Sequence, residues 1–174
     1  HLINLGHKNI VYVCSDAVDS INSSIDARGQ GFIRACKTME GTHDFKWRVL
    51  SVPRGKTFAD SALTALLALD EFPDGLCCQT DMRAIPLVLR LHRYGYRTPR
   101  DYSIIGFDDS TLSAAVGLTT LHQDPFAMGV AAGHMVLDAI AGKSIEPAFV
   151  RPDTPLILRE TTAPPAATAA SAQA

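Results

Sequence analysis

The chain has 174 residues, a length that allows one domain with a complete hydrophobic core. Hydrophobic residues make up 47% of it and charged residues 20%, with no apolar run near the roughly 20 residues of a membrane-spanning helix, so we expect an ordinary globular domain. The formal net charge of −2 gives this chain no electrostatic basis for binding nucleic acid by itself.

The first 108 residues alternate short apolar strands with amphipathic helices. The opening "HLINLGHKNI" is typical of a helix end that leads into a strand, and we expect the chain to be a piece of a longer protein. Strands are predicted at 10–14, 47–52, 75–79 and 102–107. Three helices are predicted. The first begins at the capping box of Ser23 and Asp26 and ends at Gly41, the second begins after the cap Thr57, and the third extends from the cap Asp81 to about Gly95. This alternation predicts an α/β fold with a parallel sheet flanked by helices.

Two features modify this regular pattern. Pro86 lies one turn inside the third helix, where we expect a local kink or a shortened helix start because proline has no backbone N–H. After residue 117 the alternation stops, and 118–124 is predicted as a strand or an extended crossing. Asp124 and Pro125 then predict a helix that reaches residue 141. The segment 146–163 is punctuated by prolines and predicts one or two edge strands, and 164–174 predicts a disordered tail.

Signatures of catalysis and of metal binding are missing from the sequence. It has no nucleophile elbow, no phosphate-binding loop and no H-E-x-x-H motif, and its only G-x-G lies inside a predicted helix. The four cysteines form no C-x-x-C pair, so buried reduced thiols are favoured over a zinc or redox site. We therefore expect no enzyme activity, no cofactor and no metal.

Three polar residues are predicted to lie at one edge of the sheet. Asp108 closes the fourth strand, Thr80 follows the third, and Arg28 lies in the first turn of the first long helix. Ligands of open parallel sheets bind outside the carboxyl ends of the strands, where this trio could bind sugar hydroxyls or a planar polar ring. The alternatives are a turn or cap role for Asp108, a surface or ion-pair role for Arg28, and a simple loop at Thr80. Asp109 should point away from Asp108, which argues against a pair of catalytic carboxylates.

Six motifs, in order, resemble the lactose-repressor/galactose-repressor (LacI/GalR) family of bacterial transcription regulators. They are "HLINLGHKNI", "RGQGF", "QTDMRA", "GYRTPRDYSIIGFDD", "LTTLHQDPFAMGVAA" and "LILRETTA". The resemblance extends from residue 1 to about residue 163. It implies a periplasmic-binding-protein-like fold of two lobes with an effector bound between them, of which this chain holds the C-terminal lobe.

The resemblance also implies roles for particular residues. By motif position, Arg28, Thr80, Asp108 and Gln123 match the ligand-binding positions of the family, while the position of its stacking aromatic is ambiguous around Phe58. Residues 1–122 and 145–163 would form the C-terminal lobe, and 123–144 would form the crossing and one helix of the N-terminal lobe. That helix, over 124–141, would lack its usual partner here, and we expect it to dock on another copy or to be poorly ordered.

The function implied is that of the effector-binding and dimerisation module of a cytoplasmic regulator, most often a repressor. Its partners would be a small polar effector such as a sugar, a second copy of the chain, and operator DNA only through an N-terminal domain that is not in this sequence. Two alternatives come from other classes: a solute-binding protein of a sugar transporter, and a Rossmann-like enzyme.

Overall fold

The computed structural model describes residues 1–15, 24–53, 57–143 and 153–165, and these contain a six-stranded sheet. The strands are Asn9–Cys14 (β1), Lys46–Ser51 (β2), Gly75–Cys78 (β3), Ser103–Asp108 (β4), Thr119–His122 (β5) and Leu156–Ile157 (β6). Their order across the sheet is β2-β1-β3-β4-β5-β6. Strands β1 to β5 are parallel, and β6 pairs with β5 in the antiparallel direction. The predicted α/β class and the predicted edge strand are therefore confirmed.

Helices cover both faces of this sheet. They are Leu2–Leu5 (α1), Ser24–Met39 (α2), Phe58–Leu67 (α3), Asp81–Arg93 (α4), Thr111–Ala115 (α5) and Pro125–Ile140 (α6). Helices α3 and α4 pack on one face against alternate strand residues such as Val11, Leu76 and Ile104. Helices α1 and α2 contribute Leu2 and Phe32 to a smaller cluster on the other face. Because both faces are covered, all six residues of β1 are buried, as its continuous apolar run predicts.

The element boundaries agree with the sequence to within about two residues, but two details of the helix starts differ and a third lies outside the described residues. Thr57 is the N-cap of α3, yet its side chain makes no capping hydrogen bond. Asp81 is the first residue of α4 rather than its cap, a position that Thr80 holds. The predicted capping box of α2 includes Ser23, which lies outside the described residues.

Of the two effects predicted for Pro86, the shortened helix start is not seen, because α4 runs from Asp81 through Pro86 to Arg93, and the kink stays a prediction. Pro86 and Met82 both lie on the exposed side of α4. Proline has no N–H to donate to the carbonyl of Met82. That carbonyl therefore lacks its helical hydrogen bond, but it lies on the side of α4 that is open to solvent.

Helix α6 begins as the sequence predicts, with the Asp124 side chain accepting a hydrogen bond from Ala127 N at 2.9 Å and proline at the first position. None of its residues is buried, and Phe126 and Ile140 are 81% and 78% exposed. The helix is continuous, and its docking on a partner stays a prediction. Of the predicted tail at 164–174, only residues 164 and 165 are described.

The cysteines are the buried thiols that the sequence predicts, apart from the half-buried Cys77. All four lie in the described part of the chain, and none forms a disulfide. Burial raises the pKa of Cys36 to about 11 and that of Cys77 to about 12, so these thiols stay protonated near neutral pH. None of the helices in the described ranges is long and apolar enough to cross a membrane.

Candidate functional site

Arg28 is the centre of a polar cluster at the carboxyl ends of the strands. From the first turns of α2, its Nη2 donates to Asp108 Oδ1 and to Gln123 Oε1, both at 3.1 Å. Its Nη1 donates to the backbone carbonyl of Gln79 at 2.9 Å. The structure therefore brings together three of the four predicted site residues, from α2, β4 and the end of β5. Arg28 also forms an ion pair, as the alternative interpretation predicts, and the partner of Arg28 in that pair is Asp108 of the same cluster.

The guanidinium of Arg28 lies over an aromatic ring. Its central carbon lies 3.8 Å from the centroid of the Phe107 ring, which is cation–π distance. The Arg28 side chain is only 18% exposed. Within the described residues it donates three hydrogen bonds, to Asp108, Gln123 and the carbonyl of Gln79, out of the five N–H groups of an arginine.

Asp108 is held in an unusual state. Its φ of 111° lies in the left-handed region, which side chains other than glycine rarely adopt. Burial raises the pKa of its carboxyl, Arg28 lowers it, and the nearby Asp81 raises it further, with a net upward shift. The cap alternative for Asp108 does not hold, because the N-cap of α5 is Ser110, whereas the turn alternative stays open.

Thr80 lies at the same edge but outside the hydrogen-bonded cluster. Its backbone carbonyl accepts from the first turn of α4, and its half-buried hydroxyl has no hydrogen-bond partner among the described residues. Arg28 and Asp108, by contrast, are engaged with each other.

Asp109 belongs to a separate network, as the strand alternation predicts. Its Oδ1 accepts from Arg159 Nη2 at 2.6 Å and its Oδ2 lies 3.0 Å from His122 Nδ1. Arg159 also donates to the carbonyl of Leu118 at 2.8 Å. Burial opposes ionisation of Asp109, but the hydrogen bonds from Arg159 and His122 prevail and lower its pKa. Asp109 therefore joins the ends of β4 and β5 to the segment that follows β6.

The opposite pKa shifts of the two neighbouring carboxyls predict opposite effects of amide substitution. The pKa of Asp109 is lowered in the folded state, so its ionised form stabilises the fold at every pH above its ordinary pKa of 3.8. This contribution is lost as the pH falls through the lowered pKa. We expect Asp109→Asn to lower the free energy of unfolding at pH 7 by about 1 kcal/mol and to differ less from wild type in acid.

Asp108 should respond in the other sense. Its raised pKa means that the folded state favours the protonated form, so Asp108→Asn should leave the free energy of unfolding at pH 7 unchanged or higher. Urea unfolding of both variants at pH 7 and pH 3 measures the difference. A loss of stability in Asp108→Asn equal to that in Asp109→Asn would contradict the assignment.

Several residues of this edge were missed from the sequence. Gln79 carries the carbonyl that binds Arg28, Phe107 supports the guanidinium, and Arg159 and His122 hold Asp109. Strand alternation could have identified Phe107, since it must face the same side of β4 as Ile105. Arg159 lies 50 positions from Asp109, and no local pattern links the two.

A family profile described as the periplasmic binding protein-like domain matches residues 1–162. The chain belongs to this family. Among curated proteins, the HTH-type transcriptional repressor PurR of Haemophilus influenzae is 32% identical over 145 residues, which cover 82% of this chain and 42% of that protein. The chain thus spans less than half the length of the curated relatives it matches.

Solved structures of the family agree with the sequence matches. A LacI family transcriptional regulator from Bifidobacterium animalis subsp. lactis is 27% identical with a TM-score of 0.82, over 95% of this chain and 59% of that chain. One from Enterococcus faecium with bound ribose is 28% identical with a TM-score of 0.75, over 94% and 60%. The resemblance to the lactose-repressor/galactose-repressor family that the motifs indicate is thereby confirmed.

The position of the family's stacking aromatic stays unassigned, but the structure shows where Phe58 lies. Phe58 is the first residue of α3, is 3% exposed and packs in the main hydrophobic core. Its ring lies 4.6 Å from the guanidinium carbon of Arg83. Phe58 is therefore a core residue and does not face the Arg28 cluster.

Proposed function

We propose that this chain is the effector-binding part of a bacterial transcriptional repressor that senses a small polar ligand such as a sugar. The convergence of Arg28, Asp108 and Gln123 from three separate elements carries this proposal. Thr80 completes the candidate site, because its hydroxyl lies at the same edge with no partner in the described ranges. Sugar hydroxyls both donate and accept hydrogen bonds. Charged and amide side chains that lie together can bind them, because such groups form several hydrogen bonds at once.

The whole regulator would work by a population shift. Residues 1–122 and 145–163 would form one lobe, while 123–144 would cross to the other and supply its helix. Gln123 stands at that crossing and binds Arg28, so a ligand that engages Arg28 also acts on the connection between lobes. An effector changes DNA binding only through different affinities for the two lobe arrangements. DNA contact would be made by a separate N-terminal domain, in the cytoplasm.

The test is a titration of the chain with a panel of pentoses and hexoses, in which ligand-observed NMR measures binding. We expect saturable binding of at least one sugar, without its chemical conversion. A transporter-type solute-binding protein would also bind sugar, but the relatives with solved structures are regulators. Turnover of a bound sugar, or no binding across the panel, would contradict the proposal.

A homodimer is the second part of the proposal, and an exposed apolar surface on α4 and α5 supports it. This dimer patch consists of Met82, Leu89, Leu112 and Val116, which are 72%, 60%, 53% and 45% exposed. Exposed apolar side chains that cluster in this way on a globular domain mark interaction surfaces. Leu89 on α4 and Val116 at the end of α5 line one small cavity, so these two parts of the patch adjoin each other.

Leu89→Glu is expected to weaken self-association at least tenfold, because it places a charge at the centre of an apolar contact. Sedimentation equilibrium across a range of concentrations measures this. Leu67→Glu on α3 is the matched control, since Leu67 is exposed but outside the dimer patch. A dimer that survives Leu89→Glu, or a wild-type chain that is monomeric at all concentrations, would contradict the proposed interface.

A further inference from the structure

Two neighbouring strand ends meet beside the Arg28 cluster. Asp108 is the last residue of β4 and is followed by Asp109. His122 is the last residue of β5, where it pairs with Asp108 in the parallel ladder, and it is followed by Gln123. Each of the two strand ends therefore carries two consecutive polar side chains.

These four residues form a closed ring of bonds with Arg28. On one side of the ring, Arg28 Nη2 donates to Asp108 Oδ1 and to Gln123 Oε1, both at 3.1 Å. On the other side, Asp109 Oδ2 lies 3.0 Å from His122 Nδ1. The two peptide units within the strand ends join these sides. A displacement of His122 is therefore transmitted through one peptide unit to the contact between Gln123 and Arg28.

The Asp109 side of the ring is firmly anchored. Asp109 Oδ1 accepts from Arg159 Nη2 at 2.6 Å, and Arg159 Nη1 donates to the carbonyl of Leu118 at 2.8 Å. The hydrogen bonds from Arg159 and His122 lower the pKa of the Asp109 carboxyl, so it is ionised near neutral pH. Since a carboxylate only accepts hydrogen bonds, His122 Nδ1 is the donor in its bond to Asp109.

Gln123 has few constraints of its own. It lies between the end of β5 at His122 and the start of α6 at Pro125, and its backbone forms no hydrogen bond with another described residue. Its amide nitrogen lies 3.3 Å from Met128 Sδ, and a thioether sulfur is a weak acceptor. The place of the Gln123 side chain thus depends on how firmly the preceding residue is held.

We propose that His122, through its hydrogen bond to Asp109, holds Gln123 against Arg28. Resting on the proposed function, this makes His122 a positioning residue of the effector site, which acts through Gln123 and does not itself touch the effector. The His122 side chain is 39% exposed, so a substitution there tests this role without opening the core.

Two substitutions of similar shape isolate the hydrogen bond. In His122→Asn the amide nitrogen takes the place of Nδ1 and still donates to Asp109, whereas in His122→Leu a methyl group takes that place. Titration of the 174-residue chain with D-ribose should show about tenfold weaker binding for His122→Leu and near wild-type binding for His122→Asn. Equal weakening by the two substitutions would overturn the inference.

A double-mutant cycle with Gln123→Ala distinguishes positioning from a general structural role. Once Gln123 has been replaced, His122→Leu should cost little further affinity, because the residue through which it acts is gone. The same loss in both backgrounds would overturn the inference. His92→Leu is the matched control and should bind like wild type. His92 is exposed in the last turn of α4, about 20 Å along that helix from this edge of the sheet.

A measurement without ligand separates the inference from the function on which it rests. The heteronuclear NOE of the Gln123 side-chain amide reports its mobility, and we expect a rigid amide in wild type and His122→Asn but a mobile one in His122→Leu. That pattern, with no sugar bound by wild type, would support the role of His122 and contradict the proposed function. An equally rigid amide in all three proteins would overturn the inference, and sugar binding by wild type would then leave the proposed function standing.

Discussion

Replacing Asp81 with alanine is expected to lower the free energy of unfolding by about 3 kcal/mol, the largest stability effect among the residues of this edge. Asp81 is fully buried at the start of α4, and its carboxylate accepts from Ser110 N at 2.8 Å and Thr120 Oγ1 at 2.7 Å. The hydroxyl of Ser113 donates to the same carboxylate. Removal of Asp81 would leave three buried or half-buried donors without their acceptor.

This role of Asp81 also explains a glycine in β4. A methyl group at Gly106 would overlap the Asp81 carboxylate and crowd Leu118. The glycine lets α4 approach the strand closely enough for Asp81 to reach β5 and the start of α5. The hydrogen bonds of Asp81 thereby fix the loop that follows Asp108, so they contribute to the geometry of the candidate site.

Asp60→Ala is the matched control for this prediction. Asp60 likewise lies in the first turn of its helix, α3, but it is exposed and forms an ion pair with Arg90 at 2.8 Å. Its loss should change the free energy of unfolding by less than about 1 kcal/mol, because exposed ion pairs are screened by solvent. Chemical denaturation measures both variants. Equal effects of the two substitutions would show that the Asp81 network is not what stabilises this edge.

Arg28→Lys is expected to weaken sugar binding by about 100-fold, although the charge is kept. Arg28 reaches Asp108 and Gln123 from one nitrogen and the carbonyl of Gln79 from another, a geometry that the single ammonium of lysine cannot reproduce. It also loses the flat contact with Phe107. Titration of the variant with D-ribose and with the best ligand of the sugar panel measures the loss.

The control for Arg28→Lys is the same exchange at Arg34, which is exposed on the same helix. Arg34→Lys should bind like wild type, and circular dichroism should show that both variants keep α2. Wild-type affinity in Arg28→Lys would mean that Arg28 serves only the fold, and the proposed site would have to be abandoned.

Strand alternation predicted the parts of this structure that depend on short-range patterns. The buried run of β1, the edge position of Asp108 and the divergence of Asp109 all follow from the period of a strand, and the structure agrees with each. The start of α6 was equally predictable, because the Asp124 cap and Pro125 act within one helical turn.

Contacts between distant segments were beyond this kind of prediction. Asp81 has the pattern of a helix cap, but its acceptor role involves residues 29 to 39 positions later. Gln123 could be assigned only by resemblance to the family, since it lies 95 positions from Arg28. The left-handed backbone of Asp108 and Asp109 has no local signature either, because the tertiary contacts hold it in place.

Chemical-shift mapping of the isotopically labelled chain during titration with D-ribose or a tighter sugar tests the proposed clamp most directly. We predict that the largest shifts occur at the side-chain resonances of Arg28 and Gln123 and at the backbone amides of Thr80 and Asp108. The amides of the dimer patch on α4 and α5 should stay nearly unchanged. Shifts confined to the dimer patch or to α6, with the Arg28 resonances unmoved, would contradict an effector site at this edge of the sheet.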